Sequence, residues 1–328
     1  MEDICRVFFE LSSEQRFKIL LELGSEALNV TNLSKALDIS KQESSRHLSR
    51  LDKTGLTWKD VEGRHHLTPF SELILRQLDG LDFVLQHRGY FTSHSALHLP
   101  IEFILRVSDL DKATIVDNLP VAIYKIKRTI REAEKYIYLI TDHYYLETLS
   151  LYKEAFDRGV RLEVIEPKDW LIPAELKEAY PKYYELVLNE VRASGLLEER
   201  VLEKLGIYLC MSEKEVATVA FPCSDGKFDY LGFATRNRRA HKWCLDLFHH
   251  FWKSSLRRSQ VIEELYGWVK ERPEVIQIFE RIVRGQEIKY NKELIPKLES
   301  MGLIKKGSVT RLGDIVYRRL HNRDLHSQ

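Results

Sequence analysis

The sequence predicts an α+β protein of several domains, and three observations carry that expectation. Near the amino terminus, two short helical segments joined by a tight turn run into a charged β-hairpin. In the middle, helical periodicity alternates with short runs of strong β-formers. Toward the carboxyl terminus a weak echo of the first pattern returns. At 328 residues the chain exceeds one small module, and pattern changes give three expected domains, 1–85, 86–258 and 259–328.

The first pattern is the most informative. Ser13 to Leu23 reads as a supporting helix and Asn32 to Leu37 as a short second one, with a turn at Asp38 and Ile39. Ser40 then has the chemistry of an N-cap, and Glu43 stands where a capping box places its return partner. At about 100° per residue, Ser44, Leu48 and Leu51 fall on one stripe that must pack inward, while Gln42, Ser45, Arg46 and Ser49 fall on the other. The outward side is short, polar and cationic. Such side chains suit base edges in a major groove, Arg matching guanine and Gln matching adenine. Lys41, Arg50 and Arg64 are the expected phosphate neutralisers, Arg64 from the hairpin. Gly55 supplies a helix stop, Leu56 to Val61 a strand, and Glu62-Gly63 the hairpin tip before Arg64, His65, His66 and Leu67. Together these residues predict a winged helix-turn-helix. Residues Asn32 to Leu67, with the helix before them, resemble the ArsR/MarR-type winged-helix regulators, in which the helix from Ser40 would be the recognition helix. Ser44 departs from that family's usual apolar residue. The resemblance implies a double-stranded DNA partner.

Ser71 to Leu85 has the apolar spacing of a helix leaving the wing, suited to a homodimer seam. From Ile101 to Ser255, Val121 to Lys135 reads as an amphipathic helix, Tyr136 to Ile140 as a strand, Tyr144 to Arg158 as a helix ended by Gly159, and Arg161 to Ile165 as a strand, which makes a βαβ unit. A helix is expected over Ala174 to Ala193. Strands are expected within Leu205 to Met211, Glu215 to Phe221 and Phe228 to Thr235, and an aromatic-rich helix over Arg239 to Ser255. The segments Leu99 to Val107, Glu134 to Asp142 and Arg158 to Val164 resemble the effector domain of archaeal methanogenesis regulatory proteins. More loosely, they resemble the phospholipase-D-like sensor domain of archaeal sugar-responsive regulators. The resemblance implies a ligand-responsive archaeal regulator with an α/β sensor of phospholipase-D-like or related fold. Small molecules bind beyond the carboxyl ends of strands in open α/β sheets, so Asp142, His143, Glu166 and Lys168 are candidate ligand residues. At the carboxyl end, Leu298 to Ile304 parallels Leu51 to Leu56, and Val309 to Val316 follows as Leu67 to Ile74 does, so a winged-helix-like domain is expected there. Arg281 to Arg323 carries 11 Lys and Arg against 4 Asp and Glu, an expected basic patch.

Other chemistry finds little support. The HxKxxxxD motif of phospholipase D is absent, since Lys242 follows His241 directly, and no Walker, GxSxG or strand-linked GxGxxG sequence occurs. No enzyme activity and no cofactor are therefore expected. The adjacent pairs His65-His66 and His249-His250 are poorly placed to chelate, and no metal site is expected. Cys5, Cys210, Cys223 and Cys244 fit neither a CxxC spacing nor a disulfide framework, so buried thiols are expected. No run of about twenty apolar residues predicts a membrane span, and an acidic amino terminus without a signal pattern favours the cytoplasm. The net charge of +1 averages unlike segments and decides nothing. Two other classes stay open: a phosphodiesterase-like enzyme fused to a DNA-targeting domain, and a winged-helix protein-interaction adaptor.

Overall fold

The computed structural model describes residues 2–171, 190–284, 286 and 293–322. The expected helix over Ala174 to Ala193 falls mostly outside them; residues 190–193 are helical. The protein is α+β, and its chain divides into two compact units, Met1–Gln86 and His87–Gln328.

In the first unit, helices α1 (Glu2–Leu11), α2 (Glu14–Ser25), α3 (Val30–Ala36) and α4 (Lys41–Lys53) surround a core of Ile19, Leu20, Leu23, Leu28, Leu33, Leu48, Leu51 and Leu56. Strands β1 (Leu28–Asn29), β2 (Thr57–Lys59) and β3 (Arg64–Leu67) form a sheet in the order β1-β3-β2, and α5 (Pro69–Gln86) leaves it. Both ends of α4 are fixed locally. Ser40 and Glu43 form the full capping box. At the other end, the Gly55 and Leu56 amides bond to the Asp52 and Leu51 carbonyls, a Schellman motif. Gly55 has φ +73°, a conformation that a side chain would strain. The Leu56-to-Leu51 bond has a counterpart at the end of α3, from the Ile39 amide to the Ser34 carbonyl, where Asp38 takes the left-handed position at φ 51°. Helix α1 was not foreseen. It is held by Glu10, whose buried carboxylate pairs with Arg16 at 2.7 Å and Arg50 at 2.8 Å.

The second unit is built on an eight-stranded mixed sheet in the order β11-β7-β6-β5-β8-β9-β10-β4. These strands are β4 (Thr114–Val116), β5 (Tyr136–Ile140), β6 (Arg161–Pro167), β7 (Leu197–Leu202), β8 (Tyr208–Ser212), β9 (Val216–Ala220), β10 (Gly232–Thr235) and β11 (Leu256–Arg257). Strands β5, β6 and β7 run parallel, and the remaining neighbours are antiparallel. Short helices α6 (Arg88–Phe91) and α7 (Ile101–Ile104) precede β4. Helices α8 (Leu119–Glu132) and α9 (Leu149–Asp157) cover one face, packing Ile126, Ile130, Leu151 and Phe156 on Ile137, Leu139, Leu162 and Val164. Helix α10 (Arg238–Ser254) covers the other, where Phe248 stacks on Tyr138 at 4.2 Å and Trp243 donates to the Phe103 carbonyl at 3.3 Å. Strand β5 is buried on both faces, which is why it reads as an unbroken apolar and aromatic run.

Beyond α10, helices α11 (Arg258–Lys270), α12 (Pro273–Val283), α13 (Leu294–Ser300) and α14 (Arg311–Asn322), with the hairpin β12 (Ile304–Lys305) and β13 (Ser308–Val309), share a core with Val201 of β7. The expected echo is visible bond by bond. Gly302 and Leu303 bond to Glu299 and Leu298 as Gly55 and Leu56 do to Asp52 and Leu51. Thr310 donates to the Gly302 carbonyl and caps the Gly313 amide, as Thr68 donates to Gly55 and caps Ser71. Part of the expected basic patch is paired: Lys305 with Asp169, Arg311 with Glu166, Arg318 with Asp314, and Arg319 with Glu263.

Glu166 is only 2% exposed and faces Arg258, itself 5% exposed, at 3.1 Å. Glu166→Ala leaves that guanidinium without one of its carboxylates inside the core, so chemical denaturation should show the second unit losing about 3–5 kcal/mol. Glu166→Gln, which keeps an acceptor, should lose less.

Candidate nucleic-acid interface and ligand cluster

Helix α4 buries Ser44, Leu48 and Leu51 and presents Lys41, Gln42, Ser45, Arg46 and Ser49 to solvent. None of these five outward side chains is engaged in a hydrogen bond or ion pair among the described residues. Their polar ends are free to meet a partner. The inward stripe carries one cost: the Ser44 hydroxyl is fully buried without a hydrogen-bond partner among the described residues.

Two expected phosphate contacts are otherwise engaged. Arg50 is half-buried and bidentate on Glu10, with Nε at 3.3 Å and a terminal nitrogen at 2.8 Å, and its guanidinium lies 5.4 Å from the Phe9 ring centroid. It fastens α4 to α1. Arg64 is exposed on the hairpin but pairs with Asp60 at 3.3 Å and with Glu62. Exposed pairs of this kind are weak and screened by salt, so Arg64 can exchange its carboxylates for a phosphate. The turn of the hairpin is tied by Asp60. Asp60 accepts from the Glu62 and Arg64 amides and from His66, which stacks on Trp58 with centroids 4.6 Å apart. The His66 hydrogen bond and those amides hold the Asp60 carboxyl down at about 2.

In the second unit the four expected ligand residues separate into two groups. Asp142 and His143 sit together beyond the carboxyl end of β5, where the Tyr230 hydroxyl donates to Asp142 at 3.1 Å. The Tyr145 and Tyr230 rings pack on His143, Tyr208 packs on Tyr230, and the buried Tyr145 hydroxyl has no hydrogen-bond partner among the described residues. Tyr230 has φ 64°, a strained left-handed conformation for an aromatic residue. Burial raises the Asp142 carboxyl above its ordinary range and lowers the His143 imidazole, so both favour their neutral forms. Glu166 and Lys168 do not join them. Glu166 is bound by Arg258, Arg311 and the Tyr144 hydroxyl, and Lys168 reaches Glu203 and the Ser300 carbonyl at 3.4 Å each. A buried carboxylate such as Glu166 needs compensating charge, and the neighbouring guanidinium groups supply it. Tyr145 and Tyr230 went unnoticed in the sequence; Tyr230 arrives from 88 positions beyond Asp142 and carries no local signal.

The superficial His241-Lys242 match is structural: the His241 ring bonds the Ser212 carbonyl at 2.8 Å, and Lys242 pairs with Asp246 at 2.8 Å. Of the cysteines, Cys210 and Cys244 are buried as expected. Cys5 is exposed and Cys223 half-exposed, which corrects the expectation of four buried thiols. Among the described residues, no helix is long and apolar enough to cross a membrane.

No family model matches the chain, and no curated protein does. Among solved structures it is similar to TrmBL2, an archaeal chromatin protein whose structure is described as showing a novel mode of DNA binding. The identity is 14% and the TM-score 0.35, with 75% of this chain and 94% of that one covered.

The raised Asp142 carboxyl gives a pH test. A folded-state value above the unfolded one adds stability below the ordinary carboxyl range of about 3.8, and that contribution is lost as pH rises through the folded value. Asp142→Asn keeps the Tyr230 acceptor without the charge. Denaturation should therefore show it more stable than the parent at neutral pH, with the advantage vanishing in acid.

Proposed function

We propose that this chain is a sequence-specific DNA-binding transcriptional regulator, with a winged helix-turn-helix first unit and a ligand-responsive second unit. The observation that carries this reading is the unengaged polar and cationic ridge Gln42, Ser45, Arg46 and Ser49 on a helix capped at both ends. The helix-turn before it and the hairpin after it supply the rest of a groove-reading module. Gln42, Ser45, Arg46 and Ser49 read base edges, and Lys41 neutralises a phosphate with help from Arg64. Arg50 acts indirectly, by holding α4 on α1.

The active form is a homodimer. Helix α5 leaves Phe70, Leu73, Leu81 and Val84 exposed at spacings that put them on one stripe, the pattern of a helix that packs on a second copy of itself. Two copies would place two α4 helices in successive major grooves, about 34 Å apart. The cluster of Asp142, His143, Tyr145 and Tyr230 is the effector site, with a small polar or aromatic molecule as occupant. An effector that favours one arrangement of the dimer shifts the spacing of the reading helices and so the affinity for DNA. We assign no catalytic role to the chain, since His241 and Lys242 are committed to Ser212 and Asp246, and we place it in the cytoplasm with its DNA.

Gel shift on the protein's own promoter tests the assignment. Arg46→Ala should weaken specific binding about ten- to a hundredfold and relax preference at one base position. Lys41→Ala should weaken all sequences alike and reduce the logarithmic salt slope by about 1. An Arg46→Ala protein that binds as tightly and as selectively as the parent would remove α4 as the reading helix.

A further inference from the structure

We propose that His94, Cys223 and Asp229 form a site for a divalent transition metal, with zinc the best fit. One atom from each, the imidazole Nε2, the thiol Sγ and a carboxylate oxygen, all lie within 4.8 Å of one another. Nε2 is 3.0 Å from Asp229 Oδ2 and 3.7 Å from Cys223 Sγ. A tetrahedral zinc, with bonds of about 2.0–2.3 Å, separates its ligand atoms by about 3.3–3.6 Å. The two spacings from the imidazole are already near that geometry.

The surrounding contacts aim each donor inward. His94 Nδ1 lies 2.9 Å from the Tyr90 carbonyl, which only accepts, so Nδ1 carries the proton and the neutral ring turns the Nε2 lone pair toward the cluster. The ring is stacked on Tyr90 with centroids 3.9 Å apart and planes 6° from parallel. Asp229 spends Oδ1 on the Leu231 amide at 3.0 Å, which leaves Oδ2 for the site. His94 and Cys223 form a β-bridge, flanked by Ser95 bonded to the Pro222 carbonyl and Ser224 bonded to the Ser93 carbonyl, each at 2.9 Å. Three electron-pair donors thus converge where a positive species is required. A thiolate, an imidazole and a carboxylate are the mixed set that selects zinc over calcium or magnesium. Three protein ligands leave a fourth position for water or an exogenous ligand. Binding releases the thiol proton to solvent as the Zn–S bond forms. The alternative occupant is a proton, which makes His94 and Asp229 an ordinary ion pair.

The full chain, stripped with chelator, is titrated with Co²⁺ by absorbance and then with Zn²⁺ in competition. One equivalent of cobalt should give a thiolate-to-metal charge-transfer band with intense visible d–d bands, and zinc should erase both. Cys223→Ser should lose the charge-transfer band, and His94→Gln and Asp229→Asn should each bind more than about tenfold more weakly. Cys5→Ser, with the other exposed thiol removed, should behave as the parent. Circular dichroism identifies which variants are folded, and one folded ligand variant suffices. The metal site is wrong if the parent gives no band, if the band persists in Cys223→Ser, or if a folded His94→Gln or Asp229→Asn binds zinc as the parent does.

Discussion

A carboxylate enclosed within a sheet must face a cation, and the second unit is organised around two such groups. Glu166 on β6 and Glu199 on β7 lie on neighbouring parallel strands, where their charges alone would repel. Arg258 from the start of α11 and Arg311 from the start of α14 each reach both of them, and Arg192 adds a third guanidinium on Glu199 at 2.7 Å. Burial works to raise the Glu199 carboxyl, yet Arg258, Arg192 and Arg311 together hold it below its usual range. The arrangement explains why the last helices keep their place beside β6 and β7. It also explains why neither Glu166 nor Arg311 is at liberty to meet a ligand or a phosphate.

The first unit solves a different problem with shorter-range means. A helix of 13 residues is marginal in isolation, so α4 depends on its capping box, its Schellman closure and the leucines beneath it. With stability supplied by ends and underside, the outward side chains are released from structural duty. Arg50 marks the limit of that freedom. It lies on the same helix as Arg46, yet four residues further along it comes within reach of Glu10, and the ion pair takes it.

What could be read from the residues alone follows the range of the interactions. The capping box, the Gly55 stop, β5 and the parallel β5–β6 pair were legible because each depends on spacing within a few residues. The echo of Gly55-Leu56 in Gly302-Leu303 was legible for the same reason. Helix α1 was not, since one of the two guanidinium groups that hold Glu10 comes from Arg50, 40 positions away. Strands β4, β7 and β11 are short or charged and owe their pairing to neighbours supplied from elsewhere in the chain. At the candidate ligand cluster Asp142 and His143 were visible as residues following a strand, whereas Tyr230 was not. The cluster of His94, Cys223 and Asp229 escaped motif reading because its histidine stands 129 positions before its cysteine.

The phenol of Tyr90 lies between the strands β9 and β10 at the point where they diverge. Its oxygen accepts from the Phe221 amide and donates to the Leu231 carbonyl, both at 2.9 Å, standing where the next rung of the ladder would otherwise close. One atom thus ends the pairing and sets how far the connecting loop opens, and it comes from a residue 131 positions upstream of Phe221. Closing so long a stretch of chain has an entropic cost that nearby contacts must first offset. The loop that carries Cys223 and Asp229 therefore owes its opening to a contact far removed in sequence.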